Sequence, residues 1–94
     1  MKNLELNKIP LVATRGVYEQ TVEDALFHAF VMKSLSRYFH HDWGEMCEDD
    51  KRMNDHALGC EERILAACKE DDYKIYIITE ADRSYTTILF PSEY

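Results

Sequence analysis

Ninety-four residues with a formal net charge of −7 make one small acidic domain. A chain of this length buries only about 60–70% of its unfolded surface, so its core is small and its stability modest. Six Tyr, four Phe and one Trp exclude a disordered composition, and no run of about 18 apolar residues is present to span a membrane.

The N-terminal Met1-Lys2-Asn3-Leu4-Glu5 carries no long apolar segment of the signal-peptide kind, and a cytosolic location is the expectation. Cys47, Cys60 and Cys68 are odd in number and none pairs in a CxxC spacing. Neither a disulfide framework nor a structural zinc site is expected, and no cofactor.

Charge is uneven along the chain. Between Asp42 and Asp72 eleven acidic residues face four basic ones, and elsewhere the signs balance. The middle third carries the whole excess. Such a field repels nucleic-acid phosphates and attracts basic surfaces, so direct nucleic-acid binding is not expected.

Taken in order, Met1 to Lys8 reads as a loosely held arm. Ile9 to Thr14 reads as a short strand, with Pro10 suited to its start or to a sheet edge. Gly16 marks a turn or bulge. A first helix is expected from Thr21, where Thr21 and Asp24 resemble a capping box, to His40-His41. Phe27, Val31, Leu35 and Tyr38 recur on one helical face, and Ala25, Leu26, Ala29, Phe30 and Phe39 widen it.

Asp42-Trp43-Gly44 forms a turn, and a second helix runs from Glu45 or Cys47 to Leu58, with Gly59 at its C-terminal stop. Met46, Met53, Ala57 and Leu58 are expected to face the core. Glu45, Glu48, Asp49, Arg52 and Asp55 fall opposite, as a mostly acidic ridge with local help from Lys51 and Arg52.

Cys60 to Cys68 fits either helix or strand and is read as a strand, because the following strands need a partner. Lys69 to Asp72 is a charged turn. Tyr73 to Thr79 is a strand rich in β-branched and aromatic residues. Glu80 to Ser84 connects it to a return strand, Tyr85 to Phe90, stopped by Pro91. The expected fold is α+β: an antiparallel sheet of about four strands, packed on one face by two helices, in the order β-α-α-β-β-β.

Several residues could carry chemistry. His40, His41 and Asp42, joined by His28 or His56, could ligate a metal, but adjacent histidines rarely converge on one point, and helix-end histidines are the plainer reading. Glu80, Asp82, Arg83 and Ser84 could serve acid–base or magnesium chemistry. Against that stands a turn in which Asp82 bonds its own backbone and Arg83 pairs with Glu80 or Asp82, or reaches the acidic helix. Cys47 near His40 or His41 could form a nucleophilic dyad, yet its acidic surroundings oppose a thiolate. Trp43 is either an anchor of the interhelical turn or an exposed contact.

Three segments together carry a resemblance: His41-Asp42-Trp43-Gly44-Glu45 before an acidic helix with Asp50 and Asn54, then Ile78-Thr79-Glu80-Ala81-Asp82-Arg83-Ser84, then Thr86 to Tyr94. Over Lys8 to Tyr94 the chain resembles a family of short plasmid- and prophage-borne bacterial proteins, labelled plasmid-related. No catalytic residue is carried over from it. The resemblance implies a mobile element in a bacterial cytoplasm. By analogy, small acidic proteins of such elements inhibit host defence nucleases.

The expected function is therefore that of a non-enzymatic inhibitor of anti-CRISPR or antirestriction type. Asp42, Trp43, Glu45, Glu48, Asp49, Asp50, Asp55, Glu61 and Glu62 would form a phosphate-like surface for a basic nucleic-acid-binding cleft. The alternative is a small interaction or dimerisation module with a salt-insensitive apolar interface around Trp43 or the hairpin.

Overall fold

A computed structural model describes residues 5–94. Strand β1 (Leu11–Ala13) leads into helices α1 (Arg15–Glu23), α2 (Ala25–Phe39) and α3 (Glu48–Ala57), followed by strands β2 (Ile64–Glu70), β3 (Tyr73–Thr79) and β4 (Thr86–Leu89). Short 3₁₀ turns flank this set at Leu6–Lys8 and Pro91–Glu93. The class is α+β.

The sheet order is β1-β4-β3-β2. Strands β2, β3 and β4 form the expected antiparallel meander, whereas β1 lies parallel to β4 at the edge. That parallel pair departs from a purely antiparallel sheet. Three helices separate β1 from the meander, so no hairpin dictates its direction. Pro10, which cannot donate, contributes its carbonyl to the Thr86 amide at 2.8 Å.

Cross-strand register puts Ile64, Ala66, Cys68, Ile75, Ile77, Thr79, Thr86 and Ile88 on one face, and all of them are buried. Phe27, Phe30, Val31, Leu35 and Tyr38 of α2 join that core, so the helical face read from the periodicity is the packing face. Ala25, Leu26 and Ala29, expected to widen it, are exposed instead. The opposite face buries Ala67, Ile78 and Leu89, with Tyr94 edge-on against Tyr76.

Polarity enters the core as a line of hydroxyls. Tyr38 Oη lies 2.6 Å from Thr79 Oγ1, which lies 2.8 Å from Thr86 Oγ1. Burial pushes the Tyr38 phenol up to about 12. A hydroxyl buried without a partner costs about 1–3 kcal/mol, and the line avoids that cost.

The single first helix expected from Thr21 is two helices. Asp24 takes extended backbone angles, closes α1 and opens α2. Its Oδ1 accepts from the Leu26 and Phe27 amides at 3.0 and 3.1 Å, and its Oδ2 accepts from Tyr73 Oη at 2.7 Å. Thr21 does not cap; its hydroxyl donates to the Tyr18 carbonyl. Gly16 lies in the first turn of α1 rather than in a bulge, where a side chain would meet Glu93. The expected loose arm is held from Leu6 onward, because Leu6 is buried against α2. The rest of that arm, Met1 to Leu4, lies outside the described residues.

The second expected helix, α3, starts at Glu48 with Cys47 as its N-cap, so the later of the two expected starts holds and Glu45 lies outside the helix. The residues before it pair with the sheet: the Ala67 amide donates to the Trp43 carbonyl at 3.2 Å, and the Glu45 amide donates to the Ala67 carbonyl at 2.6 Å. Met53, expected in the core, is exposed. The buried face of α3 is Asn54 and Ala57. Asn54 Nδ2 donates to the Leu65 carbonyl at 2.7 Å, and its Oδ1 accepts from the Leu65 amide at 3.3 Å.

Gly44 sits where segment 43–45 meets β2. Its φ is +73°, and a Cβ there would run into the Ala67 carbonyl. Gly44→Ala is expected to lose about 3 kcal/mol or more of stability, read from urea unfolding by Trp43 fluorescence.

The Asp24 carboxyl is held below the usual carboxylate range, first by the Tyr73 hydroxyl and then by the Phe27 amide. Its stabilisation is therefore complete above its unfolded value near ~3.9 and is lost as pH falls through the lower folded value. Asp24→Asn is expected to flatten the acid limb of stability against pH, measured by urea midpoints across the acid range.

Candidate functional site at helix α3

Three consecutive carboxylates, Glu48, Asp49 and Asp50, open α3. Acids are favoured there because the first helical turn leaves its amides unpaired and carries the positive end of the dipole. Glu48 pairs with Lys51 at 3.8 Å and Asp49 with Arg52. Both pairs are exposed, so each contributes little to stability, and the acids stay open to solvent.

Beside this turn runs a groove of about 580 Å³ between α3 and the start of β2. Met46, Met53, Ala57 and Leu65 give it apolar walls, and Asp49, Asp50 and Glu62 give it negative charge. Arg52, Arg63 and His56 also line it, so its electrostatic character is mixed rather than uniformly acidic.

The residues expected to form one acidic surface divide into three groups. Asp49, Asp50 and Glu62 share the groove, and Glu48 stands next to it in the same helical turn. Asp42 is committed to structure: Arg37 donates to it from Nε at 2.8 Å and from Nη2 at 3.2 Å, and the Gly44 amide donates to it at 3.1 Å. The Arg37 guanidinium is the main reason its carboxyl is held low. Asp55 accepts from Trp43 Nε1 at 2.9 Å. Glu45 and Glu61 are exposed but do not line the groove.

Trp43, read as either an anchor of the interhelical turn or a contact residue, is 2% exposed. Tyr38 packs edge-on against it and His41 stacks on it at 5.7 Å, so it is an internal anchor with no free face for a partner. The same packing answers the histidine reading. His41 covers Trp43, His40 Nδ1 lies 2.7 Å from the Ser36 carbonyl, and Asp42 faces Arg37, so the three do not turn to a common centre.

The loop Glu80–Ser84 is held by its own polar groups. Asp82 Oδ1 accepts from the Ser84 amide at 3.0 Å and its hydroxyl at 2.6 Å, and these bonds keep the carboxyl low. Arg83, at φ 61°, reaches across to the far end of α3. Its Nη2 donates to the carbonyls of Ala57 and Cys60 at 2.5 and 2.6 Å, and its Nη1 to those of Glu62 and Glu80 at 2.6 and 3.1 Å. Arg83 does reach the acidic helix, but through main-chain oxygens at its negative end, not through carboxylates.

Arg83 thereby fixes the loop that forms one wall of the groove. Replacing it with Met would strip the guanidinium from four carbonyls. Arg83→Met is expected to cost about 2–4 kcal/mol in urea unfolding, with Arg83→Lys recovering less than half, because a single ammonium cannot span the same acceptors.

No family model matches the chain, and neither a curated protein nor a solved structure does.

Proposed function

We propose that the chain is a non-enzymatic binding protein that presents the groove-bearing face of α3 to a basic protein surface. The observation that carries this reading is the juxtaposition of Glu48, Asp49 and Asp50 with a groove whose wall exposes Met53. Carboxylates at the rim steer a basic partner and set its register, while the apolar wall supplies the desolvated contact that holds it. Arg52 and Arg63 restrict which partners fit, since an arginine or lysine brought against them is repelled.

The narrower form of the proposal names the target class. The resemblance to plasmid- and prophage-borne proteins and the acid-rich middle third both favour a nucleic-acid-handling defence protein of a bacterial host, blocked in the host cytoplasm. In that role the α3 carboxylates stand in for phosphates. The acids that do so are Glu48, Asp49 and Asp50, joined by Glu62 from the loop after α3, while Asp42 and Asp55 hold the fold.

A second reading has its own support. Tyr18 and Val22 lie one turn apart on α1 and are well exposed, with Leu26 and Met32 exposed on α2. Because Trp43 is internal, a salt-insensitive interaction or dimerisation interface would sit on this α1–α2 surface or, as first expected, at the hairpin, where Tyr85 is exposed.

The discriminating experiment is capture of host proteins at low and high salt by the wild type and by Glu48→Lys/Asp49→Lys/Asp50→Lys. The proposal expects a nucleic-acid-handling partner held at low salt, released at high salt, and bound about tenfold or more weakly by the folded triple variant. Undiminished capture by that variant would sink it. Salt-resistant capture abolished by Tyr18→Ala/Val22→Ala would instead establish the second reading.

A further inference from the structure

We infer that His56, Cys60 and Glu62 form a binding site for a divalent transition-metal ion, with Zn²⁺ the best match. Their donor atoms, one from each side chain, all lie within 4.8 Å of one another, and among the described residues this is the grouping of three such side chains that comes so close. The site is separate from the histidine cluster near Trp43; it shares Glu62 and the groove wall with the proposed docking face, and its test reads metal binding alone, whether or not α3 docks a partner.

One donor pair is already at the spacing that a metal ion requires. Cys60 Sγ lies 3.6 Å from Glu62 Oε1. Zinc bonds of ~2.3 Å to sulfur and ~2.0 Å to oxygen, at a tetrahedral angle, place those two donors ~3.5 Å apart. His56 holds a ring nitrogen within 4.8 Å of both, and its rotation toward them would complete three ligands. One nitrogen, one sulfur and one carboxylate suit a borderline ion. Calcium and magnesium require more oxygen donors than this set supplies.

The backbone that carries the ligands is already ordered. His56 is in the last turn of α3, where the helix dipole favours a cation. The Gly59 amide donates to the His56 carbonyl at 3.0 Å, the Cys60 amide to Ala57 at 3.2 Å and the Glu62 amide to Cys60 at 3.0 Å. Arg83 fixes the Cys60 and Glu62 carbonyls from the other side. An ion therefore meets a loop whose ordering is complete before it arrives, which removes a main cost of assembling a three-ligand site.

Access is also provided. His56 and Glu62 are exposed and line the groove, so the ion would lie in the groove wall. Three protein ligands leave the fourth position for water or for a donor atom of whatever occupies the groove. Ligation exchanges the Cys60 S–H bond for a metal–sulfur bond and releases one proton to solvent, without oxidation or reduction.

The test is a Co²⁺ titration of the metal-stripped 94-residue chain, followed by absorption spectroscopy. The inference expects one equivalent of Co²⁺ to produce a thiolate-to-cobalt charge-transfer band with the intense visible bands of a four-coordinate ion, all displaced by Zn²⁺. Cys60→Ser should abolish the charge-transfer band, and His56→Ala should weaken binding about tenfold or more. Cys47→Ser, which removes the exposed thiol outside the site, should leave the spectrum intact. Absence of the band in the wild type, its survival in folded Cys60→Ser, or its loss in Cys47→Ser would each overturn the assignment.

Discussion

The outer edge of β2 is the constraint around which the middle of the chain is arranged. Leu65 and Ala67 turn their amides and carbonyls away from β3, and a sheet edge left in that state invites pairing with another chain. Two devices close it. Asn54 offers Leu65 a side-chain amide in place of a strand, and Trp43 to Glu45 offer Ala67 a short parallel bridge. The position of α3, the burial of Trp43 and the need for glycine at 44 all follow from those bonds. The groove is the space left between a helix placed to close an edge and the strand that it closes.

That arrangement explains what could be read from the residues and what could not. Strand β3 was legible because Ile75, Ile77 and Ile78 have few other places to go, and α2 because Phe27, Val31, Leu35 and Tyr38 repeat at helical spacing. Asp24 was visible as a capping residue, but its position three residues after Thr21 suggested the wrong partner; its bond to Tyr73 spans 49 positions and leaves no local trace. The rotation of α3 was hidden for a related reason. Met53 is apolar and Asn54 polar, so pattern alone turns the helix the wrong way. Only the unpaired backbone of Leu65 reverses the preference.

The acidic window illustrates the same limit in electrostatics. Proximity in sequence concentrated the acids, but the fold assigns them different work. Arg37 and Trp43 take Asp42 and Asp55 into the structure, while Asp49 and Asp50 meet Glu62 across the groove. His56, Cys60 and Glu62 were each noticed for separate reasons, as a histidine, a thiol and an acid. Their convergence depends on the end of α3 and on Arg83, a residue more than twenty positions further along.

The hydroxyls of Tyr38, Thr79 and Thr86 have a consequence of another kind. Either oxygen of each pair can be the donor, so the protons of the line can run from the tyrosine toward the sheet or from the sheet toward the tyrosine. Both senses satisfy the same two bonds with the heavy atoms in place. The interior is fixed in its carbon skeleton and yet keeps a degree of freedom in the orientation of its dipoles. A substitution that favours one sense would therefore change the electric field at the centre of the sheet while leaving the packing around it unaltered.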